Sequence, residues 1–270
     1  MIYYYIKTEV VFVLYSSKIS YFKTVSIFWG SGMIFKRKAI ISCTLIFCIC
    51  LLAFFTGKKI KTEDVLLNKS KSSQIILDAG HGGFDGGAVA GDGTVEKDIN
   101  LEISLILCDF LKANGYEVIL TRQADVSTDD VETDRISTRK KSDLKNRLEL
   151  MKDYPDAVFV SIHLNKFTTS AANGSQIFYS SRCDESQILG EHIQKKIVSM
   201  LQPYNTRVNK KATSSTYILH NATIPAVLVE CGFLSNTAEL EKLKTKEYQT
   251  QMAFCIFCGI NEYFSGNKEI

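Results

Sequence analysis

Short apolar runs alternate with longer amphipathic segments between residues 74 and 264, and this alternation restricts the fold more than any other feature. Residues 75–77 and 157–162 have the length and composition of buried strands, whereas residues 97–113 carry apolar side chains at helical spacing. Strands that are separated by helices pair in parallel, because each helix returns the chain to the same end of the sheet. The pattern therefore predicts one α/β domain with three layers, in which helices flank a mostly parallel sheet.

The remaining elements of this domain follow from the same pattern. We expect further strands at 116–121 and 226–229, and further helices at 139–153, 184–201 and 247–264. The stretch 123–143 is polar and densely charged, which predicts a surface loop that runs into the helix at 139–153.

Charge is distributed unevenly between the two ends of the chain. Residues 1–70 contain ten basic and three acidic side chains, whereas residues 71–270 contain 22 basic and 26 acidic ones. Because the acidic part has no basic stripe, we expect no nucleic-acid partner. The hydrophobic content of 46% excludes a disordered chain.

The basic end surrounds an uncharged segment. Lys36, Arg37 and Lys38 precede residues 39–56, which form an apolar run of the length that can cross a bilayer. This predicts an N-terminal transmembrane or signal helix. We favour an uncleaved anchor, because residues 53–57 lack small side chains at alternate positions. The predicted organisation is a leader at 1–57, a polar tether at 58–73 and the α/β domain at 74–265, with Met33 as a hypothetical true start.

Chemically active side chains follow three of the predicted strands. His81 lies in a Gly-rich turn after the first strand, His163 comes at the end of 157–162, and Glu230 follows 226–229. Sites in open parallel sheets gather beyond the carboxyl ends of the strands, so we expect these residues to converge. Glu96 opens the helix after the turn, where the helix dipole favours a carboxylate. Two imidazoles and one carboxylate are a common catalytic zinc set.

Other interpretations of these residues are open at this point. A single His at the end of a strand is often a hydrogen-bonded structural residue. The Gly-rich turn could bind phosphate, but Asp85 occupies the position of the third Gly in the dinucleotide pattern, and a P-loop sequence is missing. The other two imidazoles are expected to face solvent (His192) and to lie at the rim of the site (His220).

Four motifs follow one another in a characteristic order. They are Asp78-x-Gly80-His81-Gly82-Gly83-x-Asp85-x-Gly87-Ala88, then Glu96-Lys97-Asp98-x-Asn100-Leu101, then Thr121-Arg122 with Phe159-Val160-Ser161-Ile162-His163-x-Asn165, and finally Pro225-Ala226-Val227-Leu228-Val229-Glu230-x-Gly232-Phe233-Leu234-Ser235-Asn236. Over about residues 74–264 the chain resembles the zinc-dependent N-acetylmuramoyl-L-alanine amidases. Its short architecture is similar to that of the membrane-anchored amidases of the spore cortex.

The resemblance implies a reaction and a set of residues. His81, Glu96 and His163 would hold one Zn²⁺, and Glu230 would act as general base and acid in cleaving the amide bond between the lactyl group of N-acetylmuramic acid and L-alanine. Asn165 would orient His163 or contact substrate, and Arg122 would contact substrate, support the site or form an ordinary ion pair.

The resemblance also implies partners and a location. Peptidoglycan would be the substrate, the N-terminal helix would bind the cytoplasmic membrane, and an activator protein could be required. The domain would work outside the cytoplasm, tethered or secreted, with the forespore intermembrane space as one location. Three alternatives stay open: a zinc carboxypeptidase or endopeptidase on wall peptides, a non-catalytic wall-binding module, and a structural membrane protein.

Overall fold

The computed structural model of the protein describes residues 4–6, 9–11 and 73–266. Strands β1 (Tyr4–Ile6) and β2 (Glu9–Val11) pair in antiparallel fashion and belong to a separate unit of the chain. The predicted membrane segment at 39–56 lies outside the described residues. Within the described ranges, the helices all fall short of the length or apolar character that a membrane span requires.

The second unit contains a six-stranded sheet. Its strands are β3 (Gln74–Ala79), β4 (Glu117–Leu120), β5 (Val158–Asn165), β6 (Gln176–Tyr179), β7 (Lys210–Lys211) and β8 (Ala226–Phe233). They lie in the order β4-β3-β5-β8-β6-β7. The first four are parallel, whereas β6 runs antiparallel to β8 and β7 runs parallel to β6. The predicted single α/β domain is confirmed. Its sheet is mixed because two short strands, which sequence periodicity did not reveal, extend one edge.

Six helices connect and cover these strands. They are α1 (Glu96–Ala113), α2 (Ile136–Asp153), α3 (Glu185–Met200), α4 (Tyr217–Asn221), α5 (Thr237–Leu243) and α6 (Lys246–Phe264). The four long helices occur where the amphipathic segments predict them, although α2 begins three residues earlier than expected.

Alternation along β3 shows how the core is divided between the two faces of the sheet. Ile75 and Leu77 pack with apolar side chains of α1, α3 and α6, whereas Ile76 points to the opposite face and packs with residues of α2 and α4. Successive side chains of a strand point to opposite faces, so one strand contributes to both layers of the core. The domain therefore has three layers.

The order of the strands positions the chemistry. Strands β3, β5 and β8 are neighbours in the centre of the sheet and run in the same direction. In this register Asp78 is the partner of Ser161, and His163 is the partner of Glu230. The carboxyl ends of all three strands consequently lie side by side at one end of the sheet, where the predicted site residues lie.

Candidate metal centre

The Gly-rich turn after β3 directs the His81 side chain into the site through an unusual backbone conformation. His81 has a φ of 63°, and among the described residues no other non-glycine residue has a positive φ. Small neighbours leave space for the rings. A Cβ atom on Gly80 would lie 2.3 Å from Nε2 of His163, and one on Gly87 would lie 2.6 Å from Cδ2 of His81. Glycine at these two positions thus lets backbone approach both imidazoles closely.

His81, Glu96 and His163 converge at the end of the sheet. The Oε1 atom of Glu96 lies 3.3 Å from Nε2 of His81 and 3.0 Å from Nδ1 of His163. The two rings have centroids 4.9 Å apart and stand at 75° to each other. One potential ligand atom from each of the three side chains lies within 4.8 Å of the others. Two imidazole nitrogens and a carboxylate oxygen are the donors that catalytic zinc prefers, so this arrangement fits the ion.

Glu96 is fixed in place by backbone donors. It is the first residue of α1 and almost fully buried. Its Oε2 accepts a hydrogen bond from the amide of Ala88 at 2.8 Å, and its Oε1 accepts one from the amide of Leu164 at 3.0 Å. Burial alone would raise the pKa of Glu96, but hydrogen bonds from His163 and His81 outweigh it and hold that pKa well below its usual range. The carboxylate is therefore ionised, as a metal ligand must be.

Asp85 orients the ring of His81. Its Oδ2 lies 2.9 Å from Nδ1 of His81 and 3.0 Å from Nζ of Lys140. Burial lowers the pKa of His81, but the hydrogen bonds to Asp85 and Glu96 and their negative charges raise it to about 9. With Nδ1 held by Asp85, Nε2 is the nitrogen directed at Glu96. A divalent cation bound there would compete with the imidazole proton for the same negative charges.

Glu230 lies beside this cluster. It faces His163 across the β5–β8 ladder, and its Oε2 is buried without a hydrogen-bond partner among the described residues. Burial raises the pKa of Glu230 to about 7; the charge of His163 lowers it by a smaller amount, and the charge of Glu96 raises it. A carboxyl group with a pKa near neutrality can both accept and return a proton at physiological pH.

The two residues predicted to support the site or contact substrate differ in position. Arg122 is buried, and its guanidinium donates to the carbonyl oxygens of Ala79 (2.8 Å), Gly80 (3.0 Å) and Lys97 (2.8 Å). The guanidinium thus holds the backbone of the Gly-rich turn against α1, and a contact with substrate stays a prediction. Asn165 ends β5, where its carbonyl accepts a hydrogen bond from the amide of Leu234 at 2.8 Å. The function of its side chain stays a prediction.

Sequence reasoning overlooked several residues that support the cluster. Asn100 lies one helical turn after Glu96, and its Nδ2 is 3.3 Å from Glu96 Oε1 and 3.2 Å from the carbonyl oxygen of Gly80. Its spacing of four residues from Glu96 on the same helix could have suggested the contact. Arg147 on α2 reaches the same turn, and no sequence motif indicates that contact.

The two remaining imidazoles play no direct part in the cluster. The prediction that His192 faces solvent is wrong: its side chain is 4% exposed, and its Nδ1 lies 3.7 Å from Oε2 of Glu262 on α6. The helix α3 packs against α6 on that side, so polar neighbours in sequence do not mark a solvent-facing position. His220 is partly exposed at the end of α4.

Comparison with known proteins agrees with this geometry. A family model described as N-acetylmuramoyl-L-alanine amidase matches residues 75–262. The germination-specific N-acetylmuramoyl-L-alanine amidase of Bacillus subtilis is 37% identical over 191 residues, which cover 71% of this chain and 79% of that protein. The CwlD amidase of Clostridioides difficile, solved in complex with the GerS lipoprotein, is 41% identical with a TM-score of 0.69 and covers 72% of this chain and 99% of its own.

A more distant structure has the same fold. The amidase AmiC2 of Nostoc punctiforme is 30% identical, with a TM-score of 0.62, over 73% of this chain and 99% of its own. The region matched by the family model, 75–262, contains all of the sheet except its first residue, and it contains the four residues His81, Glu96, His163 and Glu230. The chain therefore belongs to the N-acetylmuramoyl-L-alanine amidase family.

Proposed function

We propose that the chain hydrolyses the amide bond between the lactyl group of N-acetylmuramic acid and the L-alanine of the stem peptide, with one Zn²⁺ held by His81, Glu96 and His163. The observation that carries this proposal is the convergence of the three donor atoms within 4.8 Å, beside a buried carboxyl group at Glu230. Peptidoglycan hydrolysis is the activity of the family to which the chain belongs.

Different residues of the chain have different roles in this reaction. When bound, Zn²⁺ would supply a Lewis acid that polarises the amide carbonyl and makes a water molecule more acidic. Glu230 accepts the proton of the attacking water, since its buried carboxyl group has a pKa near neutrality. The same carboxyl group then returns the proton to the departing nitrogen of L-alanine. Asp85 keeps Nδ1 of His81 engaged, so that Nε2 faces the ligand position.

Product analysis is the decisive experiment. The purified full-length protein is incubated with peptidoglycan and Zn²⁺, and the released fragments are identified by mass spectrometry. Release of intact stem peptides with a free L-alanine amino terminus, together with glycan strands free of peptide, supports the amidase. Shortened stem peptides would indicate a carboxypeptidase or endopeptidase instead, and unchanged peptidoglycan would indicate a wall-binding module.

The proposal extends to location and to domain organisation. Residues 39–56 would anchor the catalytic domain, 74–265, outside the cytoplasmic membrane through the tether at 58–73, because the substrate lies there. Membrane fractionation and mass spectrometry of the native amino terminus test both points. Recovery of the full-length chain in the soluble cytoplasmic fraction would contradict the anchor, and a native peptide from residues 1–32 would contradict a start at Met33.

A role in the spore and an accessory protein are further parts of the proposal. The similar amidase of Bacillus subtilis is germination-specific, and the similar CwlD amidase was solved with a lipoprotein bound. Both facts support a spore-cortex substrate and an activating partner for this chain. Loss of the gene should then alter muropeptides of spores but not those of vegetative walls. Full activity of the purified protein without any added protein would refute a strict requirement for an activator.

A further inference from the structure

A buried arginine on α2 contacts the backbone of the metal-binding turn. Arg147 is 2% exposed, although it comes 66 residues after His81 in the sequence. Its Nη2 donates to the carbonyl oxygen of His81 at 2.8 Å, and its Nη1 donates to that of Ala79 at 3.0 Å. One guanidinium therefore donates hydrogen bonds to the residues before and after Gly80, where β3 ends and the turn begins.

The guanidinium is itself held by two buried carboxylates. Asp78 accepts from Nη1 of Arg147, and Asp143 accepts from Nε at 2.9 Å. Asp78 is further fixed by the hydroxyl groups of Ser161 (2.6 Å) and Thr121 (2.8 Å). Because every member of this network has its partners within the protein, the position of Arg147 is set independently of any bound metal.

One of the two carbonyl groups that Arg147 contacts belongs to His81, whose backbone is in a disfavoured conformation. Residues other than glycine are disfavoured in the left-handed region that His81 occupies, because the Cβ atom comes too close to the following carbonyl oxygen. A backbone in that region returns to a commoner one unless its surroundings hold it. Hydrogen bonds to the carbonyls of residues 79 and 81 oppose such a rotation, since turning the peptide plane would break them.

Resting on the proposed zinc site, we propose that Arg147 is a positioning residue that holds His81 in its left-handed conformation and thereby preorganises the site for the metal. It acts through the backbone of His81 and contacts neither the ligand atoms nor the substrate. A planar guanidinium is needed, because two parallel donor groups must reach two carbonyl oxygens while the ion pairs persist.

The test compares substitutions that separate charge from geometry. Arg147→Lys keeps the positive charge between Asp78 and Asp143 but cannot donate to both carbonyls in the same arrangement. Arg147→Met removes the charge as well. Met151→Ala is the matched control, because Met151 lies on the same helix, is equally buried, and packs in the core on the other side of the sheet from α1. It should destabilise the fold without touching the turn.

Zinc affinity of the folded full-length proteins is measured by competition with a chromogenic chelator, below each unfolding transition. We expect Arg147→Lys to lose about 10-fold or more in zinc affinity, by analogy with groups that orient metal ligands, and Met151→Ala to retain wild-type affinity. The rise in melting temperature on adding zinc is a second measurement, and it can also be made on variants that are only marginally stable. This rise should be smaller than in the wild type for both Arg147 variants and equal to that of the wild type for the control.

The outcomes distinguish this inference from the proposed function. Wild-type affinity and a wild-type zinc-induced rise in melting temperature for Arg147→Lys would overturn the role of Arg147 and leave the zinc site intact. Equal losses in Arg147→Lys and Met151→Ala would also overturn it, because the effect would then be one of general destabilisation. If the wild-type protein shows no saturable one-to-one zinc binding, the zinc site itself fails.

Discussion

Glu230 and His163 are direct partners in the parallel ladder between β5 and β8. Neighbouring strands are about 4.8 Å apart, so the sheet itself sets the separation between the backbone of the proposed base and that of a proposed ligand. The two residues are far apart in sequence, and the hydrogen bonds of the ladder bring them together.

Glu230→Gln should strongly reduce turnover without removing the metal. The amide has nearly the same shape as the carboxyl group but cannot accept the proton of water, so we expect kcat to fall by about 10²–10⁴. Zinc content is measured beside the rate of muropeptide release. Glu241→Gln, on the exposed surface of α5, is the control and should keep wild-type activity. Wild-type turnover by Glu230→Gln would remove Glu230 from the mechanism.

Chelation should inactivate the enzyme reversibly. Removing zinc leaves the charge of Glu96 facing the imidazole of His81, whose pKa is raised to about 9, because the same negative charges attract proton and metal. Activity should return on addition of Zn²⁺, and Glu96→Ala should not recover at stoichiometric zinc. Calorimetric titration of the chelated protein gives the stoichiometry. Full activity after exhaustive chelation, with metal analysis showing an empty protein, would contradict a metal-dependent reaction.

Asp85→Asn should weaken zinc binding by about 10–100-fold. The amide can still occupy the space next to His81, but it lacks the negative charge that makes the imidazole a better ligand. The competition assay with a chelator measures the affinity. Asp92→Asn serves as the control, since Asp92 is on an exposed turn and pairs with Lys244. An unchanged affinity for Asp85→Asn would show that the ring is oriented by packing alone.

Acid should destabilise the domain through Asp78. Burial would raise the pKa of Asp78, but Arg147 and the hydroxyl groups of Ser161 and Thr121 outweigh it and lower the pKa below its ordinary value of 3.8. A carboxyl group with a depressed pKa contributes stability that is fully present above its unfolded value and is lost as the pH falls through the folded one. The loss should therefore develop below about pH 4.

Asp78→Asn separates this contribution from general acid unfolding. At pH 7 the variant should lose about 3–5 kcal/mol of unfolding free energy, because it breaks a buried ion pair of Arg147. As the pH falls from about 4 toward the lowered pKa of folded Asp78, the difference from wild type should shrink. Denaturant unfolding in the presence of a chelator measures both proteins without interference from zinc. A difference that stays constant from pH 7 to pH 2 would contradict the ionised state of Asp78.

The sequence allowed prediction of what is periodic and what is local. The central strands and the four long helices follow from apolar spacing, and the convergence of His81, His163 and Glu230 follows from the rule that parallel strands present their carboxyl ends together. Strand β7 was missed because two residues are too few for a detectable alternation, and the four residues of β6 lie between polar segments that hide them.

Tertiary contacts between distant segments account for the rest. The contact of Arg147 with the carbonyl of His81 depends on how α2 packs on the face of the sheet that carries Ile76, and no residue spacing in the sequence indicates it. The burial of His192 likewise depends on α6, which packs over a polar-looking stretch of α3. Side chains whose partners come from another layer of the domain carry no signal in their own sequence neighbourhood.

The left-handed backbone conformation makes histidine a less stable choice than glycine at position 81. Glycine would adopt this conformation more readily than histidine, so the fold alone would favour its replacement. In the proposed zinc site the need for an imidazole keeps His81 there, so that the turn is less stable than it would be with glycine. A descendant of this chain that no longer bound metal would gain stability by exchanging His81 for glycine. In a descendant that lost its activity, mutation of His81 to glycine would no longer be selected against, and it would also make the fold more stable. We therefore expect this substitution to be an early one in such a lineage.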